Sequence, residues 1–358
     1  MILVTKPFLP KEEEYIKKVN TIWRNNWLTN NGPLTKELEY EITDFLKIPS
    51  MHFVSNGTVA LQLSIKALDL KGEVITSPFS FVATTTSIIW EKCTPVYVDI
   101  QPDTLCIDPD KIEEAITDNT TAILATHVYG IPCNVEKIDK IAKKHNLKVI
   151  YDAAHAFGVK FKGTSLLNYG DISTLSFHAT KLFHTIEGGG IVHNLGEVLD
   201  KKIMLLRNFG FEGDKYYFAG MNAKNSEFHA AMGLCNLSCV ADIINKREKL
   251  VCVYDEILGN IVQRPSIPKG TDYNYSYYPI IFKTTKQLLN VQQVLLENKI
   301  QTRRYFYPSL NNLPYLKTSQ YCPISEDIAS RILCLPLYFD LEIEMVEKIA
   351  CKVREACI

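Results

Sequence analysis

Apolar positions along the first half of the chain recur with two alternating periods. Ile16, Val19, Ile22, Trp23 and Trp27 follow helical spacing after Pro10, which is placed to open that helix. Asn30-Asn31-Gly32-Pro33 ends it, and a second helix runs to about Leu46. Met51-His52-Phe53-Val54 reads as a short strand, and Ser55-Asn56-Gly57-Thr58 turns into a helix over Val59–Leu68. Glu73–Thr76, Pro95–Asp99 and Thr121–Thr126 read as further strands, with a helix announced by Asp108-Pro109 between the last two. Val135, Ile138 and Ile141 mark a helix over Val135–His145 that leads to the strand Lys148–Asp152. This β-α-β rhythm, with strands apolar throughout, predicts an α/β fold whose largely parallel sheet is covered on both faces.

The pattern changes near residue 225. A long helical stretch is expected from Ser226 to about Leu258, then a strand over Tyr277–Phe282. Thr284-x-x-Gln287 has the form of a capping box before a helix carrying Leu288, Val291 and Leu295. A last helix presents Val346, Ile349 and Val353 on one face. The expected division is a large domain over residues 1–240 and a smaller C-terminal α+β domain over 241–358.

Composition narrows the functional classes. The chain has 358 residues, enough for two domains, and its 46% hydrophobic and 22% charged content is that of an ordinary globular protein. Thirty-nine Lys and Arg against 40 Asp and Glu leave a net charge of -1, which gives no electrostatic basis for binding nucleic acid or an anionic membrane. The apolar run before Lys6 is too short for a signal peptide, and no stretch reaches the ~18 apolar residues of a membrane span. The ten cysteines are scattered without a Cys-x-x-Cys pair, which argues against a zinc site and fits a reducing cytoplasm.

Ligands of open α/β sheets bind at the carboxyl ends of the strands, and three segments fall there. Ser55-Asn56-Gly57-Thr58 combines a glycine, hydroxyls and a helix N-terminus, which suits a phosphate as well as an ordinary helix cap. Asp152 ends an apolar strand in Tyr151-Asp152-Ala153-Ala154-His155, where it serves either a cationic ring nitrogen or a helix cap. Lys181 follows Leu175-Ser176-Phe177-His178-Ala179-Thr180 and precedes Glu187-Gly188-Gly189-Gly190. The glycines lack Gly-x-Gly-x-x-Gly spacing, so a dinucleotide fingerprint is excluded. Together these parts meet the needs of pyridoxal 5'-phosphate (PLP). Lys181 supplies an amine for a Schiff base, Asp152 an anion for the pyridine nitrogen, and Gly57, Thr58 and Ser176 a phosphate cradle. Phe81 can stack on the ring face, with Phe79 as the competing choice and core packing as the plainer role for either.

The ordered set Asn56-Gly57-Thr58, Ser77-Pro78 with Phe81, Asp152-Ala153-Ala154-His155, Ser176-Phe177-His178-x-Thr180-Lys181 and Glu187-Gly188-Gly189 resembles the DegT/DnrJ/EryC1/StrS family of PLP-dependent nucleotide-sugar aminotransferases. The resemblance extends from Trp27-Leu28-Thr29 to Leu335-Pro336-Leu337-Tyr338. It implies a fold-type I aminotransferase acting as a homodimer with shared active sites. Lys181, Asp152 and His155 then carry the catalytic roles, with His155 near the ring hydroxyl and phosphate. Asn222 would reach the phosphate of the other subunit, and Thr29, Lys224 and Tyr305 are candidates for substrate contacts. Three positions depart from the family pattern: Phe209 where histidine is frequent, Lys224 where arginine is common, and a loop one residue longer at Asn30–Pro33.

The implied reaction moves an amino group from glutamate to a nucleotide-linked keto-deoxysugar. Arg304-Tyr305-Phe306-Tyr307-Pro308 looks like the members that aminate carbon 4. The expected conversion is therefore dTDP-4-keto-6-deoxyglucose to dTDP-4-amino-4,6-dideoxyglucose, for lipopolysaccharide O-antigen. Rival readings are a carbon-3 aminotransferase, a sugar 3-dehydratase of the same fold, and a non-catalytic PLP-binding regulator. Lys181 argues against the dehydratase, which has histidine there. The absence of a spare basic region argues against the regulator.

Overall fold

The computed structural model describes residues 1–316 and 320–357. Seven strands form its central sheet: β1 (Met51–Val54), β2 (Glu73–Thr76), β3 (Thr94–Tyr97), β4 (Thr120–Thr126), β5 (Lys148–Asp152), β6 (Ile172–Ser176) and β7 (Gly189–His193). Their spatial order is β1-β7-β6-β5-β4-β2-β3. Pairings among β3, β2, β4, β5 and β6 are parallel, while β7 runs antiparallel to both neighbours. The sheet is thus mostly parallel, with β7 the single reversed strand.

Side chains alternate across it, as the two-residue period of a strand requires. Phe53, Ile75, Ile123 and Val149 face one apolar layer with α2 (Pro33–Leu46), α5 (Val135–His145) and α7 (Glu227–Leu237), a cluster to which α1 (Glu12–Asn25) adds Ile22 and α10 (Pro323–Arg331) adds Ile328 and Ala329. Val54, Val74, Leu124 and Ile150 face the other, with α3 (Gly57–Ala67), α4 (Val82–Trp90) and α6 (Glu197–Leu206). Both faces are buried, so the strands read as continuous apolar runs.

Ile281, Phe306, Ile332 and Cys334 join the first of these layers, while much of the C-terminal chain forms a second apolar cluster. There α8 (Val240–Leu258), α9 (Thr285–Glu297) and α11 (Ile343–Cys357) cover the antiparallel pair β8 (Tyr278–Ile281) and β9 (Ile332–Leu335). The expected boundary at residue 240 falls on the first residue of α8.

Three local expectations are corrected. The stretch from Ser226 to Leu258 is two helices, interrupted where Ser238 bonds its hydroxyl back to the Cys235 carbonyl at 3.0 Å. Asp108-Pro109 opens only two short 3-10 turns, Pro109–Lys111 and Glu113–Ala115, before the β-branched residues leading into β4. Gly57 and Thr58 lie inside the first turn of α3 instead of before it. The Thr284 cap is as expected: its hydroxyl accepts the Gln287 N–H at 3.1 Å. The buried Glu227 carboxylate accepts the Leu34 and Thr35 N–H groups at 2.7 and 3.0 Å, capping α2 from a distant helix. No helix among the described residues is long and apolar enough to cross a membrane. Each of the ten cysteines has a free thiol.

Candidate active site

The carboxyl ends of β1, β2, β4, β5 and β6 open into one cavity of about 570 Å³. Gly57, Thr58, Phe81, Asp152, His155, Ser176, Lys181 and Tyr305 all line it. Eight predicted residues from across the chain are therefore gathered in one place. Thr29, Asn222 and Lys224 are not. Thr29 donates its hydroxyl to the Asn225 carbonyl at 3.3 Å, Asn222 bridges to Asn208, and Lys224 Nζ donates to Asn208 Oδ1 at 2.8 Å.

Asp152 ends β5 with both carboxylate oxygens engaged. Oδ2 accepts the Thr84 hydroxyl at 2.7 Å and Oδ1 accepts the Ala154 N–H at 3.1 Å. Ser80 continues the chain of hydroxyls, 2.7 Å from Thr84 Oγ1 and 2.9 Å from Thr126 Oγ1. Burial raises the Asp152 pKa, against the two hydrogen bonds and the charge of Lys181, which pull it down. Lys181 is half-buried in the same cavity. Desolvation lowers its pKa from 10.5 to about 8, opposed by the Asp152 charge and reinforced by Arg303. Its Nζ donates to the Tyr277 hydroxyl at 3.4 Å. The result is an amine that reaches its neutral, nucleophilic form near physiological pH.

His155 Nδ1 accepts the Tyr129 N–H at 3.1 Å, so in the neutral ring the proton sits on Nε2. Burial holds the imidazole neutral, with its pKa well below the ordinary value. The ring lies parallel to Phe306 and to Tyr129, with centroids 5.7 and 6.3 Å away. Such stacking fixes its orientation.

The phosphate candidates sit together. A Cβ on Gly57 would lie 2.9 Å from the Ser176 Cβ, so only glycine lets α3 start against the end of β6. Asn56 caps the Val59 N–H at 2.9 Å. The N–H groups of Gly57 and Thr58 belong to the first helical turn, which has no intrahelical acceptors and favours an anion. The cap and phosphate readings of this turn are thus compatible. Of the two aromatic choices, Phe81 lines the cavity at 49% exposure, whereas Phe79 is fully buried against Tyr129 and Phe306.

Several cavity neighbours escaped the sequence reading. Thr84 lies on α4, whose Thr84-Thr85-Thr86-Ser87 run has weak helical propensity and concealed the helix. Arg303 lines the cavity from the C-terminal part of the chain, and Tyr277 packs beside Lys181. In the 304–308 segment, Arg304 donates to the Ala329 and Ser330 carbonyls and serves packing, while Tyr305 lines the cavity.

A family model for the DegT/DnrJ/EryC1/StrS aminotransferases matches residues 10–354. The chain belongs to that family. It is 43% identical, over 99% of its length and 98% of the relative's, to the dTDP-4-amino-4,6-dideoxy-D-glucose transaminase of Shigella dysenteriae. It is 41% identical to the transaminase of the same name from Escherichia coli, over 97% and 96% of the two chains. The crystal structure of DesI in the presence of its TDP-sugar product superposes with a TM-score of 0.94 at 32% identity, covering 99% of this chain and 93% of DesI. The protein is accordingly a PLP-dependent sugar aminotransferase of fold type I. The cavity fits the cofactor. It offers one half-buried amine, a hydrogen-bonded carboxylate and a glycine-tight helix start at the carboxyl ends of the strands.

Proposed function

We propose that the enzyme transfers an amino group from glutamate to dTDP-4-keto-6-deoxyglucose, giving dTDP-4-amino-4,6-dideoxyglucose. The names of two relatives, more than 40% identical across nearly the full chain, support this sugar. The observation that carries the chemistry is the pair Lys181 and Asp152, the one half-buried and the other buried, held in one cavity and coupled by charge. Lys181 would hold the cofactor covalently and Asp152 its ring nitrogen. Gly57, Thr58 and Ser176 would hold its phosphate, Phe81 its ring face and His155 its ring hydroxyl side. Bound there, PLP supplies an electron sink for the donor carbon that loses a proton. Once the donor's amine takes its place on the cofactor, the freed Lys181 Nζ, with its lowered pKa, would be able to accept that proton and return it in the same cavity, where proximity favours the transfer. Asp152, whose charged form the Thr84 hydroxyl and the Ala154 N–H favour against burial, would hold the ring nitrogen of the bound cofactor in its protonated form.

A homodimer with shared sites is part of this reading. Its support is that Asn222 and Lys224 lie outside their own cavity, Lys224 over the exposed Phe209 ring at 4.8 Å, and that Tyr216, Tyr217 and Phe218 are exposed as well. Residues 1–240 then act as the cofactor-binding domain and 241–358 as the smaller domain, in keeping with the second apolar cluster. Ten free thiols fit a cytoplasmic location. Lipopolysaccharide O-antigen as destination of the product rests on the family resemblance alone.

The test is the visible absorption of the purified enzyme on adding glutamate and then dTDP-4-keto-6-deoxyglucose, with NMR of the product. The cofactor band should fade with glutamate and return with the sugar, and the new amine should sit on carbon 4. Failure of the band to return would discard this sugar. Amination at carbon 3 would replace the regiochemistry.

A further inference from the structure

Away from the cavity, three side chains that ligate divalent metals converge where β1, β7 and α6 meet: His52, His193 and Asp200. His52 pairs with Ile191 across the β1–β7 ladder, so it shares a sheet face with His193, two residues further along β7. The imidazoles stack 7° from parallel with centroids 5.6 Å apart. They are 5% and 4% exposed, while the Asp200 side chain, in the first turn of α6, is 38% exposed and opens the group to solvent.

One Asp200 oxygen lies 2.9 Å from His52 Nε2 and 3.5 Å from His193 Nε2. Both contacts are close enough for an ion pair, but neither nitrogen is well aligned with the carboxylate for a hydrogen bond. Two buried imidazole nitrogens converging on one carboxylate oxygen, without aligned hydrogen bonds, need an explanation. His193 Nδ1 accepts the Leu195 N–H at 3.4 Å, which orients the ring with Nε2 toward Asp200. Ligands bound at ~2.0–2.1 Å around a tetrahedral ion stand ~3.3 Å apart. The observed separations of 2.9 and 3.5 Å bracket that value.

We propose that His52, His193 and Asp200 form a divalent transition-metal site, with zinc as the best-fitting ion and solvent completing the coordination. Two imidazoles with one carboxylate select zinc and its borderline neighbours over magnesium and calcium, which take oxygen ligands. The ion would tie the β1–β7 edge of the sheet to α6. Directly after α6 come Arg207, which donates to the Phe53 carbonyl at 3.2 Å, and the segment carrying Asn222 and Lys224. The site is therefore structural, with no place in the amino-transfer chemistry.

The test uses untagged holoenzyme, stripped with a chelator and titrated with Co²⁺, followed by Zn²⁺ competition. The expected result is one equivalent of Co²⁺ with visible d–d absorption, displaced by Zn²⁺, and a higher Tm with Zn²⁺. His193→Ala and Asp200→Asn should each lose more than the roughly 10–100-fold in affinity that changing an outer partner costs. His145→Gln, at a half-buried histidine paired with Glu113 away from this cluster, should bind as the parent does. Asp200→Asn keeps the side-chain volume at a half-exposed position, and circular dichroism separates loss of metal from loss of fold. Absence of saturable d–d absorption in the parent would overturn the site and leave a bare histidine–aspartate cluster. Parent-like binding by a folded Asp200→Asn would overturn it by placing the metal elsewhere.

Discussion

Thr84 donates its hydroxyl to Asp152 Oδ2 at 2.7 Å, tying the first turn of α4 to the end of β5. The bond matters because Asp152 is buried and desolvation pushes it toward its neutral form. A neutral Asp152 could not hold a protonated ring nitrogen. Hydrogen bonds to charged groups are worth about 1.5–3 kcal/mol, so Thr84→Val should lower kcat by roughly 10–100-fold. Asp152→Asn, which removes the charge itself, should cost more. Steady-state kinetics on both variants checks the order, and a Thr84→Val enzyme with the parent kcat would show that Asp152 does not need the hydroxyl.

The same burial makes Lys181 a liability to the fold. Its pKa falls from 10.5 to about 8, so below pH 8 it is protonated both folded and unfolded, and the native state bears the full cost of the buried charge. Between about 8 and 10.5 the native state releases its proton first, and stability rises with pH. The displacement is worth roughly 3 kcal/mol at most, at 1.36 kcal/mol per pKa unit. In protein prepared free of cofactor, Lys181→Met should therefore exceed the parent in stability at pH 7, and the gap should narrow from pH 8 to pH 10. Urea denaturation at several pH values reads this directly. A gap independent of pH would mean the amine is not desolvated.

How legible these features were depends on whether their cause is local. Asp152 ends a five-residue apolar strand, and Lys181 follows another, so the crevice at the carboxyl ends could be inferred from the pattern alone. Gly57 and Ser176 were legible as residue types, but the 2.9 Å approach that joins them depends on how α3 packs on β6. Thr84 was hidden because a run of threonines argues against helix, and tertiary packing overrides that preference. β7 was hidden because Gly189-Gly190 reads as a turn, although both glycines pair with β6 opposite Ser176 and Leu175. Arg303 and Tyr277 enter the site through the long return of the chain, which no local pattern encodes.

Gly57→Ala tests the cradle without touching any charged group. The added Cβ would meet Ser176 at 2.9 Å, and that neighbour ends a central strand with little freedom to yield. Overpacking costs typically ~1–3 kcal/mol. Because the turn that must move carries the Gly57 and Thr58 N–H groups, the cost should fall on cofactor retention, about 10-fold in PLP affinity by equilibrium dialysis. Unchanged affinity would place the phosphate elsewhere in the cavity.

Asn222 decides whether the active site is shared. It lies outside the cavity of its own chain, bridged to Asn208, which precedes the exposed Phe209. Lys181→Ala homodimers should be inactive, and Asn222→Ala homodimers impaired in holding the cofactor. If Asn222 serves the partner's site, a heterodimer of the two variants has one site with both defects and one with none. Statistical mixing makes half of the dimers heterodimers, so refolding the variants together should restore about a quarter of parental activity. If Asn222 acts within its own chain, every site in every dimer carries one defect, and mixing yields only the average of the two parents. Activity measured across mixing ratios, with a maximum near equal amounts, separates the two arrangements.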